Sequence, residues 1–171
     1  MTKKARDAEF ERFFAAEHSR LERFATMLTG DPVRGGELTQ EALARVYARW
    51  RRVRSGSPGG YARQIITNLV RGEHRASKLR TAKPTPRWAR ETKVPAADEH
   101  VIDSMRVVDA LSSLPPVRRA TVLLRFQEDL TEAEIARLLD RPLGTVKSDI
   151  HRALRQLRPL WESADRGVMR R

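Results

Sequence analysis

Apolar side chains recur at three- and four-residue steps through most of this 171-residue sequence. This spacing constrains the fold more than any other feature, because it is the spacing of α-helices that each bury one face. The alternation of apolar and polar residues that marks a half-buried strand does not extend over a useful length, so we assign no strands. The sequence therefore predicts an all-α protein.

The helical pattern is interrupted once, by the segment TAKPTPRWARETKVPAADEH over residues 81–100. Its three prolines, Pro84, Pro86 and Pro95, each remove a backbone donor and push the preceding residue out of the helical region. We therefore predict two small helical bundles joined by a flexible linker, with these bounds: bundle 1–80, linker 81–103, bundle 104–163 and tail 164–171.

Several short signals predict where individual helices begin and end. Gly30 is expected to end the first helix, and Asp31 followed by Pro32 is a helix cap with a proline at the first helical position. SGSPGG over 55–60 is interpreted as a loop. Thr131 and Glu134 have the spacing of a capping box, which predicts a helix start after Leu130.

Composition excludes several classes of protein. The chain has no cysteine and four histidines, so we expect no disulfide, thiolate metal site or other metal site. No apolar run is long enough to span a membrane, and the basic N-terminus is not followed by an apolar stretch, so we expect a cytoplasmic protein without membrane insertion. Motifs typical of hydrolases, phosphate-binding loops and zinc proteases are absent, which predicts no enzyme, no cofactor and no small-molecule substrate.

Charge indicates the class of partner. The formal net charge is +12, and residues 1–80 hold 17 basic and 9 acidic side chains. A balance this basic favours a polyanion such as nucleic acid.

Residues 131–158 have the pattern of a helix-turn-helix. A short capped helix is followed by a break at Asp140-Arg141-Pro142 and then by a longer helix with an apolar face (Val146, Ile150, Ala153, Leu154 and Leu157) and a basic and polar outer face. Such a helix can enter the major groove of DNA with its first residues at the base edges. An ordinary amphipathic helix pair with a solvated charged face is the alternative, and the pattern favours DNA.

Residues 38–75 interleave aromatic side chains with arginines, which suits single-stranded nucleic acid. Tyr47, Trp50 and Tyr61 are the aromatics of this stretch. The alternative is that the aromatic residues form core and the arginines are only solvated, and for Tyr47 and Trp50, on the apolar face, we favour that alternative.

Four motifs, in this order and with the linker between the second and third, resemble an extracytoplasmic-function (ECF) bacterial RNA polymerase sigma factor in its minimal form, region 2 plus region 4. ELTQEALARVYARW resembles the core-binding helix of that family, and YARQIITNLVRGEHR resembles the helix that reads the promoter −10 element. LSSLPPVRRATVLLRF resembles the entry to region 4, and IARLLDRPLGTVKSDIHRALRQLR resembles its −35 recognition segment.

The resemblance implies three sets of functional residues. Those on the clamp of the polymerase β′ subunit would be Leu38, Gln40, Glu41, Arg45, Arg49 and Trp50. Those that capture the opened −10 strand, together with the 51–60 loop, would be Arg54, Tyr61, Asn68, Arg71 and Arg75. Those that read the −35 duplex would be Thr145, Lys147, Ser148, His151, Arg152 and Arg155.

The resemblance also implies partners: core RNA polymerase through its β′ clamp and β flap, promoter DNA, and an anti-sigma factor, which is common in the family. Several residues depart from the family pattern: Gly36-Glu37 replaces the acidic pair before the core-binding helix, Gly72-Glu73 precedes Arg75, and two further departures lie in the helix-turn-helix. Asp140 replaces the usual turn glycine, and aspartate tolerates the left-handed conformation. Asp149 replaces a common arginine, and an acid at this place is expected either to oppose phosphate or to accept from a cytosine amine.

An alternative class stays open from the sequence. A one-component helix-turn-helix regulator with an N-terminal helical effector or dimerisation domain would bind duplex DNA on its own, whereas a sigma factor would need the polymerase.

Overall fold

The structure of the chain is a computed structural model, and it describes residues 2–79 and 107–168, with side chains up to residue 159. These residues form eight helices and connecting turns without a strand, which confirms the all-α prediction. The chain divides into two compact units, Met1–Glu91 and Thr92–Arg171. The whole of the predicted linker 81–103 lies outside the described residues, so its predicted flexibility stays a prediction.

Four helices form the first unit: Lys3–Thr29 (α1), Pro32–Ala48 (α2), Trp50–Val53 (α3) and Pro58–Leu79 (α4). Gly30 ends α1 with a left-handed φ of +74°, as predicted, and its N–H donates to the Thr26 carbonyl at 2.7 Å. Asp31 caps α2 as predicted, because its carboxylate accepts from the Val33 amide at 2.9 Å and the Arg34 amide at 3.2 Å. The two caps together set the sharp turn between α1 and α2.

The predicted loop over 55–60 is too long. Residues 50–53 form α3, and α4 begins at Pro58, so Gly59 and Gly60 are helical. The signal that decides this is Ser57, whose side-chain oxygen accepts from the Gly60 amide at 3.2 Å and whose carbonyl accepts from the Tyr61 amide at 2.9 Å. Ser57 thus acts as a helix cap with proline at the first helical position, which outweighs the low helix propensity of the two glycines.

The core of the first unit forms where α1, α2 and α4 bury their apolar faces. Its largest buried side chains are Leu21, Phe24, Leu28, Leu38, Val46 and Ile66. Burial of each such side chain contributes about 1.5–3 kcal/mol. This packing orients α2 and α4 so that their opposite faces, which carry most of the predicted polar and cationic residues, point to solvent.

The second unit contains a helical segment over 107–112 (α5), then Pro116–Phe126 (α6), Glu132–Leu139 (α7) and Leu143–Val168 (α8). The capping box at the start of α7 is confirmed, since Thr131 accepts from the Glu134 amide and the Glu134 carboxylate accepts from the Thr131 amide at 2.8 Å. Hydrogen bonding to Thr131 lowers the pKa of Glu134. The helix α8 continues to Val168, past the start of the predicted tail at 164.

Asp140 has the left-handed conformation expected of it, with φ of +50°. The Asp140 amide donates to the Arg137 carbonyl at 3.4 Å, and the Arg141 amide donates to the Ala136 carbonyl at 2.9 Å. This is the hydrogen-bond pattern of a Schellman motif, which ends α7 and turns the chain toward α8.

The apolar face of α8 is narrower than predicted. Val146, Ile150, Ala153 and Leu157 are buried, whereas Leu154 is 42% exposed. The four buried residues follow steps of four, three and four, so they lie on one line of the helix, and Leu154 is about 100° from its neighbour Ala153. Phe126 is also exposed, at the end of α6.

Replacing Gly35 by alanine is expected to force α1 and α2 apart. A Cβ on Gly35 would lie 2.8 Å from the Thr26 amide nitrogen and 2.9 Å from the Thr26 Cα, and these backbone atoms cannot rotate away. We expect G35A to lower the free energy of unfolding by about 1–3 kcal/mol. Urea unfolding followed by Trp50 fluorescence, in a chain that also carries W88F and W161F, measures the change in the first unit.

The neighbouring glycine provides the control. A Cβ on Gly36 meets only a Glu22 carboxylate oxygen at 3.6 Å, and alanine favours a helix over glycine by about 1 kcal/mol. We therefore expect G36A to cause no loss of stability. If G35A unfolds at the same urea concentration as G36A, the result contradicts the close approach of α1 and α2 at Gly35.

Candidate nucleic-acid and protein interfaces

The outer face of α2 presents polar side chains predicted to bind the polymerase. Gln40, Glu41 and Arg45 are exposed, and Glu41 and Arg45 form an ion pair across one helical turn. Arg49, at the end of the helix, is also exposed, and its guanidinium donates to the hydroxyl of Tyr61 on α4. Arg49 therefore connects the predicted polymerase surface to the predicted −10 surface.

The structure places the other two predicted polymerase residues, Leu38 and Trp50, inside the first unit. Leu38 is fully buried and Trp50 is 3% exposed. The Trp50 ring packs edge-on against Phe10, with ring centroids 5.3 Å apart, and at a tilt against Phe13, with ring centroids 5.2 Å apart. In the free chain these two residues hold α2 and α3 in place instead of presenting a side chain to a partner.

Glu9 is a residue of this surface that sequence reasoning missed. Its carboxylate accepts from the Trp50 indole N–H at 3.1 Å and from the Arg54 guanidinium at 3.0 Å. The hydrogen bond from Trp50 and then the Arg54 interaction lower the pKa of Glu9. Glu9 thereby fixes Arg54, a predicted −10 residue, beside the end of α3. No local spacing could reveal this pairing, because Glu9 lies 45 residues before Arg54.

A second hydrogen-bond cluster connects the start of α1 to α2. The Tyr47 hydroxyl donates to the Asp7 carboxylate at 2.6 Å, and the Arg6 guanidinium lies over the Tyr47 ring at 4.5 Å. The Tyr47 hydrogen bond is the main cause of a lowered pKa for Asp7. Tyr47 therefore has a structural role, in agreement with the alternative that we favoured for it.

The predicted −10 residues on α4 form one stripe. Tyr61, Asn68, Arg71 and Arg75 are separated by seven, three and four residues, and this spacing returns to the same side of a helix. Asn68 and Arg75 are exposed, while Tyr61 and Arg71 are partly exposed. The opposite side of α4 is buried in the core, at Ala62, Ile65, Ile66 and Val70.

In the second unit, α7, the turn over 140–142 and α8 form a helix-turn-helix. The predicted −35 residues lie opposite the buried line of α8, and the exposed ones are Lys147, His151, Arg152 and Arg155. Thr145 and Ser148 are partly exposed, and the Ser148 hydroxyl donates to the Thr145 carbonyl at 2.9 Å. Lys147 is 4.0 Å from a Glu132 carboxylate oxygen. The outer face of α8 therefore concentrates cationic and hydrogen-bonding groups.

The expectation for Asp149 is wrong. Its carboxylate does not lie on the outer face of α8, where it could meet a phosphate or a base edge, because the side chain is buried. It accepts from the Arg141 guanidinium at 2.6 Å and from the Arg118 Nε at 3.3 Å. The two arginines come from the turn before α8 and from α6, which the sequence alone does not bring together.

Within residues 2–79 and 107–159, no group of three or more histidine, aspartate or glutamate side chains lies close enough to hold a metal ion. None of the helices in the described part of the chain is long and apolar enough to cross a membrane.

Comparisons with known proteins match one family description to each unit. The family description "Sigma-70 region 2" matches residues 13–80, and "Sigma-70, region 4" matches residues 104–157. The RNA polymerase sigma-E factor of Streptomyces coelicolor is 36% identical over 151 residues, which cover 88% of this chain and 84% of the relative. The ECF RNA polymerase sigma factor SigL of Mycobacterium tuberculosis is 30% identical over 165 residues, which cover 90% of each chain.

The chain belongs to the ECF sigma factors. As a member of this family it acts as an alternative sigma factor that directs transcription initiation. The matched region 2 contains α2 to α4 and most of α1, and the matched region 4 ends inside α8. The solved structure of the sigma factor RpoE from Bartonella quintana, in complex with the anti-sigma factor NepR, has the same fold, with a TM-score of 0.74 at 19% identity over 90% of this chain and 96% of that one.

The contribution of Glu9 to the stability of this sigma factor is expected to depend on pH. A carboxyl group whose pKa is lower in the folded state stabilises the fold above its unfolded pKa, and this contribution disappears as the pH falls through the folded pKa. The pKa of Glu9 is lowered in this way by Trp50 and Arg54. We therefore expect E9Q to be less stable than the wild type at pH 7, and the difference to shrink between about pH 5 and about pH 2.

Urea unfolding across this pH range, followed by Trp50 fluorescence in the W88F/W161F chain, measures the difference. E11Q is the matched control, because Glu11 is an exposed carboxylate on the same helix, and it should follow the wild-type curve. A difference between E9Q and the wild type that stays constant from neutral to acidic pH would contradict the role of the Glu9 charge.

Proposed function

We propose that this ECF sigma factor divides its function among three exposed helix faces. The observation that carries the proposal is that the polar and cationic residues of each predicted set lie on the solvent side of a helix whose other side is core. The proposed bounds are those of the sequence analysis: region 2 over 1–80, a linker over 81–103, region 4 over 104–163 and a tail over 164–171. The family matches over 13–80 and 104–157 support this division.

The first face binds core RNA polymerase. Gln40, Glu41, Arg45 and Arg49 present a row of donors and acceptors along α2 to the β′ clamp. Leu38 and Trp50 act from the core, since they fix the orientation of α2 and α3. Region 4 contributes the second attachment, to the β flap.

The second face captures the opened −10 strand. The stripe of Tyr61, Asn68, Arg71 and Arg75 on α4 offers an aromatic side chain, an amide and two guanidinium groups. An aromatic ring and an amide can hold an unstacked base, while arginines follow the backbone phosphates. Arg54, fixed by Glu9, extends this surface toward the turn before α4. The energy to open the duplex comes from binding these bases, so no covalent chemistry and no cofactor are involved, and the protein is not an enzyme.

The third face reads the −35 element as a duplex. The outer face of α8 enters the major groove, where Thr145 and Ser148 lie near its N-terminal end and Lys147, Arg152 and Arg155 contact phosphates. His151 is exposed between them.

An anti-sigma factor is the proposed regulatory partner, because the structurally similar RpoE was solved with the anti-sigma factor NepR. A promoter-directed protein of this kind acts in the cytoplasm. The alternative from the sequence, a one-component regulator, has no support from the comparisons with known proteins.

Reversing the charge of Arg45 is expected to weaken binding to core RNA polymerase. We expect R45E to raise the Kd by about tenfold or more, which corresponds to about 1.4 kcal/mol, because the exposed guanidinium of Arg45 is replaced by a carboxylate beside Glu41. Fluorescence polarisation of the labelled full chain, titrated with core RNA polymerase, measures the affinity.

Two further variants separate binding to the polymerase from effects within α2. E41R/R45E restores an ion pair inside the helix but presents it with the opposite polarity, so it should bind as weakly as R45E. R23E reverses an exposed arginine on α1 and should bind as the wild type does. Recovery of wild-type affinity by E41R/R45E would place the polymerase surface elsewhere.

Removal of Arg71 and Arg75 is expected to weaken binding of the holoenzyme to single-stranded DNA. The slope of log Kobs against log salt falls by about 0.7 for each single-strand phosphate that the protein no longer neutralises. R71A/R75A should therefore lower the slope by about 1.4 if both arginines bind phosphates. The probe is a single-stranded oligonucleotide of mixed sequence, titrated at several salt concentrations.

R12A/R23A is the matched control, since it removes two exposed arginines from α1 and changes the net charge equally. Equal slopes for the two double variants would exclude α4 as the strand-binding face.

A further inference from the structure

The carboxylate of Asp149 joins three elements of the helix-turn-helix. Asp149 belongs to α8, Arg141 to the turn before α8, and Arg118 to α6. Oδ2 of Asp149 is 2.6 Å from an Arg141 terminal nitrogen, and Oδ1 is 3.3 Å from the Arg118 Nε. The carboxylate is thus hydrogen-bonded on both oxygens, which satisfies a group that is otherwise costly to bury.

The cluster has one more positive than negative charge. Two guanidinium groups share a single carboxylate. The side chains of Arg118 and Arg141 are 22% and 27% exposed. A guanidinium carries five N–H donors in a fixed planar fork. Since Arg141 gives one terminal nitrogen to Asp149, the rest of its fork can reach a second acceptor on the solvent side.

The backbone holds Arg141 at the entry to the recognition helix. Its amide donates to the Ala136 carbonyl at 2.9 Å, as part of the Schellman motif that ends α7. Pro142 follows it and has a fixed φ, and α8 begins at the next residue, Leu143. In a helix-turn-helix bound to DNA, the N-terminal end of the second helix is the part that enters the major groove, so residues just before it lie near the flanking phosphates.

We propose that Asp149 is a positioning residue that holds Arg141 against a backbone phosphate of the −35 duplex, with Arg118 fixing the carboxylate from α6. This inference rests on the proposed reading of the −35 element by α8. A carboxylate in the recognition helix would ordinarily weaken DNA binding, but here it is buried and directs a cation from the turn toward the duplex. Asp149 thus contributes to phosphate binding through a neighbour.

The test uses the holoenzyme, formed from core RNA polymerase and the full chain, and a duplex with a preferred −35 sequence. That duplex is selected by the wild-type holoenzyme from a library with a randomised −35 segment. Affinity is then measured between about 50 and 200 mM salt, because the slope of log Kobs against log salt falls by about 0.9 for each duplex phosphate that the protein no longer neutralises. The variants are R141Q, D149N and R141Q/D149N, and R23Q is the control that removes an exposed arginine outside the helix-turn-helix.

We expect R141Q and D149N each to lower the slope by about 0.9, the double variant to lower it no further than either single variant, and R23Q to leave it unchanged. The preferred −35 sequence should stay the same in all four, since a phosphate contact positions the protein without reading bases. A purely structural role for Asp149 would lower the melting temperature of D149N and leave the slope unchanged, which would overturn the inference. Tighter binding and a steeper slope in D149N would also overturn it, because they would show the carboxylate opposing the phosphates.

Two arrangements keep the outcomes distinct. If D149N fails to fold, R141Q decides, because it keeps Asp149 paired with Arg118, and an unchanged slope in folded R141Q overturns the inference. R152A/R155A tests the proposed function separately. The reading of the −35 element by α8 would be contradicted if the wild type selected no preferred duplex, or if R152A/R155A bound the duplex as tightly as the wild type. If R152A/R155A binds weakly and R141Q leaves the salt slope unchanged, only the role of Arg141 is contradicted.

Discussion

The packing of Trp50 against α1 determines the geometry of the whole first unit. The indole is buried between Phe10 and Phe13, and its N–H is satisfied by the Glu9 carboxylate. Burial of an aromatic ring of this size, with its single polar group hydrogen-bonded, is among the largest contributions that one side chain can make to a small bundle. Because Trp50 is the first residue of α3, this one interaction fixes both the end of α2 and the path of the chain into α4. Together with the core between α1, α2 and α4, it leaves the polar faces of α2 and α4 in solvent.

The features of the fold that could be predicted from sequence are those that depend on neighbouring residues. Helix ends at Gly30 and Asp31, and the capping box at Thr131, depend on hydrogen bonds between residues at most four apart, so their signals are local. Helix faces follow from the 3.6-residue period, which also explains the error at Leu154, a residue on the margin of the apolar stripe. The predicted loop over 55–60 is too long because the pattern of glycines there conceals the Ser57-Pro58 cap.

The contacts that could not be predicted join residues distant in the sequence. Glu9 meets Arg54 across 45 residues, and Asp149 meets Arg118 across 31. The sequence shows each of these residues as one more charged side chain in a chain rich in charge. Only the packing of helices selects which acid meets which arginine, and for Asp149 that selection buries the acid between two arginines.

A net charge of +12 is often taken as a general affinity for nucleic acid, but the arginines of this chain do not act as one group. Some are part of the fold: the buried Arg63 pairs with the half-buried Glu17, and Arg34 connects α2 to α4 through Glu73. Each of these ion pairs uses one positive charge to orient a helix. Among the described residues, the structure gives no acidic partner for the cations on the outer faces of α4 and α8, apart from Glu132, which lies near Lys147. The ion pairs inside each bundle therefore leave the cations of these two faces exposed, and a DNA-binding sigma factor would turn these faces to its promoter. Acids such as Glu17 and Asp149 lower the net charge, but through their arginine partners they fix the helices that carry these cations.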